Sequence, residues 1–147
     1  MKIIASIFGI GYIRKGGGTV AAAFAVLIWW LLFRNYGTEF AVQAVLTILV
    51  TILGIWAGNK VEGEWGKDSY RVVIDEVAGM FISLLFIPID WKWLLTGFVL
   101  FRFFDIAKPL YIRRMEAFKG GWGVMLDDVL AGIYANVVLQ VIILIAT

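Results

Sequence analysis

Residues 102–128 read RFFDIAKPLYIRRMEAFKGGWGVMLDD, and with Asp75-Glu76 they decide how the chain must fold. The sequence is 62% hydrophobic, and Asp75, Glu76, Asp105, Asp127 and Asp128 sit inside or against apolar runs long enough to span a bilayer. An ionisable side chain at membrane depth costs at least about 2.5 to 3.5 kcal/mol on insertion scales, so a group of them implies a functional site in which each finds a partner.

Composition narrows the chemistry. A mean hydropathy of +0.91 with 16% charged residues places the 147-residue chain in the integral membrane class, and its length fits one membrane-embedded domain over residues 1–147. There is no cysteine, which excludes disulfides, thiolate metal sites and a cysteine nucleophile. There is no histidine either, which removes phosphohistidine chemistry, imidazole acid-base catalysis and imidazole metal ligation. Carboxylates, hydroxyls, amides and water remain. The net charge of +2 is small and its basic residues are scattered through loops, so no nucleic acid partner is expected.

Outward from 102–128 the apolar runs predict an all-α, integral membrane helical bundle of about five short transmembrane helices. They cover 19–33, 40–57, 72 to about 89, 93 to about 107, and 124–146. Several fall below the usual 20 or so residues, which requires tilt, local thinning or helices extended by polar ends. Pro88 and Pro109 stop the third and fourth runs, and Trp91 and Trp93 flank a turn as interface anchors would. Gly54 and Gly58 have the small-xxx-small spacing that admits a close neighbouring helix. The polar stretch 59–71 reads as a loop. Residues 1–10 resemble a signal peptide only superficially, because the run breaks at Gly9 and Gly11 without a cleavage site; an interfacial helix fits better.

With five spans, Lys2, Arg14, Lys15, Lys60, Lys67, Arg71, Lys108, Arg113, Arg114 and Lys119 fall on one side of the membrane. Arg34 and Lys92 fall on the other, so the positive-inside rule puts the amino terminus in the cytoplasm. All five carboxylates then meet at the cytoplasmic interface, as do Thr19 and the glycines before it.

Arg102, Asp105 and Lys108 recur every three residues and share a helical face; an intrahelical ion-pair ladder is one reading. Five carboxylates against Arg102 and Lys108 leave a formal charge of minus three, which like charges in a partly dry site sustain only with a cation. One divalent ion leaves minus one, and two leave plus one, a sign suited to an anionic substrate. An all-oxygen ligand set points to magnesium, with manganese and calcium as alternatives. Gly16-Gly17-Gly18-Thr19 and Gly120-Gly121-Trp122-Gly123 precede helices, where exposed amides and the Thr19 hydroxyl would receive phosphate oxygens. Phosphate and magnesium at a lipid interface point to a phospholipid head group whose acyl chains stay in the membrane.

At these residues a resemblance becomes specific. Val73-Ile74-Asp75-Glu76-Val77-Ala78-Gly79, Arg102-Phe103-Phe104-Asp105-Ile106-Ala107-Lys108-Pro109 and residues 120–132 resemble, in order and spacing, three signature stretches of the phosphatidylglycerophosphatase A family. Gly18-Thr19 resembles that family's Pro-Gly-Thr segment, and Asp68 falls where the family has an aspartate before the Asp-Glu pair. The resemblance implies a magnesium-dependent enzyme of the bacterial inner membrane that removes the terminal phosphate of phosphatidylglycerophosphate. It implies Asp75, Glu76, Asp105, Asp127 and Asp128 as metal ligands, Asp68 as an additional one, and Thr19, Gly18, Arg102, Lys108 and Gly121 around the substrate phosphate. The chain departs from the family at Gly17, Ala21, Ala22 and Tyr111, all of which bear on substrate fit.

Two other classes compete. A divalent cation transporter would also place carboxylates in a membrane, but it would mark a path through the midplane, and these lie at one face. Another phospholipid head-group enzyme, a phosphotransferase, would carry a different aspartate signature that is missing here. The sequence leaves open whether water or an aspartate attacks phosphorus, whether one metal or two bind, and the oligomeric state.

Overall fold

The computed structural model describes residues 1–147 except Arg14, 36–39, Lys67, Asp68, Tyr70, Arg71, Leu110, Lys119, Gly120 and the side chain of Glu116. The described residues are helical, with no strand among them. A single turn, α1 (Lys2–Ala5), and a 3-10 turn at Ile10–Tyr12 precede α2 (Gly17–Phe33), α3 (Phe40–Trp65), α4 (Ile74–Leu84) and α5 (Trp91–Ala107). A 3-10 segment, Ile112–Ala117, leads into α6 (Gly121–Ala146).

Two helices, α3 and α6, are long and apolar enough to cross a membrane, each with 26 residues and mean hydropathies of 2.2 and 2.4. Only 22% of each apolar window is buried, so the side chains that would form a core in water face outward instead. Val42, Val45, Ile48, Leu49 and Ile52 make such a face along α3. A helix apolar all round belongs in lipid, and this distribution supports membrane association.

α4 is the opposite case. Nine of its 11 residues are buried, enclosed by α2, α3, α5 and α6. The close approach to α6 depends on Gly79 and Gly132: a Cβ on Gly132 would lie 2.5 Å from the Gly79 carbonyl oxygen, and one on Gly79 would lie 2.7 Å from that of Asp128. The Gly54/Gly58 spacing acts as expected at the α3–α6 crossing, where Gly58 would present a Cβ 3.0 Å from the Cα of Gly121.

Three boundaries differ from the sequence reading by three residues or more. The stretch 59–71 is not all loop, since α3 runs on to Trp65 and α1 packs beside it; Ala5, Ala57 and Val61 form a small buried cluster there. The last helix begins at Gly121 rather than 124, because its first turn is held by Asn59. The third run yields a helix over Ile74–Leu84 only. Pro88 accounts for the early stop, since its ring would collide with the carbonyl of Leu84 in a continued helix.

A helix end inside a bundle leaves backbone groups that must find partners. Asn136 Nδ2, from α6, donates to the carbonyls of Ile82, Ser83 and Leu85 at 3.2, 3.1 and 2.8 Å. Gln43 Oε1, from α3, accepts the amide of Phe86 at 3.0 Å. Residues 85–90 then connect to α5, where Asp90 caps the first turn by accepting from the Lys92 amide at 2.9 Å.

Candidate active site

The carboxylates converge because α4 and α6 begin, and α5 ends, at the same level of the bundle. Asp75 and Glu76 stand in the first turn of α4, Asp105 in the last turn of α5, and Asp127-Asp128 in the second turn of α6. Together with Arg102 and Lys108 they line a cavity of about 300 Å³. Its remaining wall includes Ser69, Val72, Val73 and the start of α2 at Gly16, Gly17 and Gly18. The burial is deep: Asp75, Asp105, Asp127 and Asp128 expose 7%, 7%, 6% and 1% of their surfaces.

The two bases tie the helices together. Arg102 Nη1 donates to Glu76 Oε2 at 2.9 Å and to Asp105 Oδ2 at 2.5 Å. Lys108 Nζ donates to Asp127 Oδ2 at 2.5 Å and stands 3.7 Å from Asp105 Oδ1. The ladder Arg102–Asp105–Lys108 therefore exists, but both bases also reach another helix. Lys108 lies just past the end of α5 with φ of +49°, which breaks the helix and swings its side chain back over Asp105 and Asp127. Burial alone would lower the Lys108 ammonium's pKa, but the hydrogen bond it donates to Asp127 and the charges of Asp127, Asp105 and Asp128 hold it above the usual lysine range. Its charged form is thus favoured by its neighbours, and Lys108 serves the site as a hydrogen-bond donor.

Neighbouring residues on a helix diverge by about 100 degrees, and here the divergence sorts the carboxylates. Asp75 turns toward Asp127 and Asp128, while Glu76 turns toward Asp105 and Asp128. Each set offers three oxygens within 4.8 Å of one another. Opposite ligands of one hard cation, at about 2.1 to 2.4 Å from it, span about 4.2 to 4.8 Å. Asp75 Oδ1 and Asp128 Oδ2 are buried without a hydrogen-bond partner. A buried carboxylate oxygen in that state is costly unless a cation meets it, so the residues fit a divalent metal.

The start of α2 closes against this cluster. A Cβ on Gly18 would fall 2.7 Å from Glu76 Oε1 and 3.4 Å from Arg102 Nη1, so any larger residue there would have to displace the Glu76 carboxylate. Thr19 is exposed and does not line the cavity, because one residue further round the helix its side chain points away. Gly121 does not line it either: its amide donates to Asn59 Oδ1 at 2.6 Å and its Cα packs on α3. Asp68 lies outside the described residues. Sequence reasoning missed Ser69 on the cavity wall and the amide side chains of Asn59, Gln43 and Asn136. The available signal was an isolated amide within an apolar helix.

The phosphatidylglycerophosphatase A family model matches residues 3–143 of this chain. A Bacteroides thetaiotaomicron protein called a putative phosphatidylinositol-3-phosphatase is 45% identical over 144 residues, covering 95% of this chain and 91% of its own. Phosphatidylglycerophosphatase A of Haemophilus influenzae is 38% identical, with coverages of 94% and 85%. That of Escherichia coli is 31% identical, with coverages of 92% and 78%. No solved structure matches the chain.

Proposed function

Because the chain belongs to the phosphatidylglycerophosphatase A family and is a phosphatase, we propose that the cavity between α2, α4, α5 and α6 is where it cleaves a lipid phosphomonoester, with magnesium as cofactor. Phosphatidylglycerophosphate is the substrate the family name supports, and phosphatidylglycerol and phosphate are the products. The carrying observation is that five carboxylates and two bases, brought by α4, α5 with the residue just past its end, and α6, line one cavity.

Asp75, Glu76, Asp105, Asp127 and Asp128 would hold the metal. When bound, magnesium would neutralise charge on the phosphoryl oxygens and make water a better nucleophile, in a chain that has no histidine for either task. The protein's own cations do the positioning. Lys108 lines the cavity with its charged form favoured, so it attracts the phosphate and holds it by hydrogen bonds. Arg102 locks Glu76 and Asp105 in place and faces the phosphate from the α2 side. The first amides of α2, at Gly17 and Gly18, have no intrahelical acceptor and supply further donors.

In this reading α2 to α6 make about five spans in the bacterial inner membrane, with α4 completed by residues 85–90 and the amino terminus cytoplasmic. Basic residues gather at the carboxylate end, which supports that orientation. A cysteine replacing Tyr111 should label only from the cytoplasmic side and one replacing Asn35 only from outside. The reverse pattern would overturn it.

A second substrate is favoured by one observation: the Bacteroides relative named for a phosphoinositide is more similar, at 45%, than the two phosphatidylglycerophosphatases, at 38% and 31%. Both lipids present a phosphomonoester outside the acyl region. Phosphate release from the purified chain, with each lipid and with or without magnesium, decides between them. Faster turnover of phosphatidylglycerophosphate supports the first reading, preference for phosphatidylinositol 3-phosphate replaces it with the second, and no release with any divalent ion sinks both.

A further inference from the structure

We propose that the site holds two divalent cations and that Asp128 is the carboxylate shared between them. This rests on the functional reading above and deepens it.

The five carboxylates do not fall into one ligand set; they fall into Asp75, Asp127 and Asp128 on one side and Glu76, Asp105 and Asp128 on the other. Asp128 alone belongs to both. It is also the most buried of the five, at 1% exposure, and lies against both Asp75 and Asp105. A carboxylate has two oxygens with about four lone-pair sites, so one side chain can serve two ions. Asp128 Oδ2 and Asp75 Oδ1 are buried and have no hydrogen-bond partner, while Arg102 and Lys108 engage Glu76, Asp105 and Asp127. The protein's own cations therefore leave the middle of the cluster unneutralised.

Charge supports the same count. The cluster with its two bases carries a formal minus three, so one divalent ion would leave a site that repels a phosphate and a second makes it attractive. Two ions that share a carboxylate, about 3.5 to 4 Å apart, form the clamp that phosphoryl transfer uses on attacking and leaving oxygens. The register of α4 creates the two halves, because consecutive Asp75 and Glu76 must point about 100 degrees apart.

The test uses the full chain in detergent with manganese as the probe, read by equilibrium dialysis and electron paramagnetic resonance. Two ions per chain with an exchange-coupled spectrum are expected. Asp75→Asn and Glu76→Gln should each leave one ion with an isolated-ion spectrum, and Asp128→Asn should weaken both ions and abolish coupling. One ion per chain at saturation, two uncoupled ions, or an Asp128→Asn chain that keeps one ion at undiminished affinity would overturn the shared ligand. The unsubstituted chain decides stoichiometry and coupling even where a variant misfolds. Phosphate release with a single bound ion sinks only the pair, whereas two coupled ions with no release from any lipid sink the functional reading instead.

Discussion

The two ends of α4 are both polar and both buried, yet they are built on different terms. At its start, Asp75 and Glu76 join three more carboxylates, and buried oxygens of Asp75 and Asp128 are left without a partner. At its end, Asn136 gives its amide to three carbonyls and Gln43 accepts the Phe86 amide. Neutral groups that are mated inside the protein stabilise it, because a buried backbone group left without a partner is costly. Charged groups left unmated destabilise it until something from outside arrives. One 11-residue helix thus separates a structural polar cluster from a functional one, and substitutions at its two ends should behave oppositely.

The largest effect is expected at the charged end. Asp105→Asn and Asp128→Asn should each lower turnover by about 10³-fold or more, and the double variant should be hardly worse than either, because groups acting as one unit lose activity non-additively. In a metal chelator Asp128→Asn should raise the melting temperature, since it removes repulsion that only a cation relieves, whereas Asp105→Asn, which takes a partner from Arg102 and Lys108, should lower it. Additive losses, or an Asp128→Asn chain that melts below the unsubstituted chain in chelator, would make this end an ion-pair network like any other.

Lys108→Gln should come next, with turnover falling about 10²-fold, the usual cost of one charge-aligned donor. Magnesium affinity should hold or tighten, because a competing cation beside Asp127 is gone. Isothermal titration separates the outcomes: if metal binding collapses along with turnover, Lys108 belongs to the cluster's framework and not to substrate binding.

Much of this contrast was legible in the sequence, and the part that was not has a physical cause. Charged residues in apolar runs stand out at any depth, so Asp75, Glu76, Arg102, Asp105, Lys108, Asp127 and Asp128 could be named, and the structure brings all of them to one cavity. Helical spacing also foretold the Gly58 approach to α6. Helix lengths were less accessible. Pro88 announced a stop, but a run of apolar residues reads the same whether it is helix or the irregular link with its turn at 85–90. The amides that make the early stop tolerable, Asn136 and Gln43, lie 51 and 43 residues from the carbonyl and amide they serve. Such partners follow from packing and not from any local pattern. Thr19 does not reach the cavity wall because the face of α2 that meets α4 is the one carrying Gly17 and Gly18, and only packing fixes that face.

At the neutral end, Asn136→Leu should leave turnover per folded molecule nearly unchanged but lower stability by about 2 to 3 kcal/mol, since three helix-end carbonyls lose their donor at once. Denaturant titration in mixed micelles, read beside activity of the folded fraction, checks it. A loss of turnover without a loss of stability would mean that the α4 break serves the reaction directly.

Gln43→Leu should produce the smallest effect, for a reason that sharpens the same distinction. Gln43 is fully buried, and its Oε1 accepts the Phe86 amide, so removing it strands one N–H. Stranding a buried donor costs about 1 to 3 kcal/mol. Its Nε2, however, has no partner, so the native residue already bears a penalty that leucine, of similar volume, would relieve. The two changes offset each other, and the net loss should be about 1 kcal/mol, well below that for Asn136→Leu. Gln43→Glu separates the terms. It keeps an acceptor for Phe86 but puts a carboxyl at a fully buried position, and should therefore destabilise more than leucine does at neutral pH. If Gln43→Glu proved as stable as the unsubstituted chain, a charge could be borne at this end without an external partner. The proposed difference between the two ends of α4 would then fail.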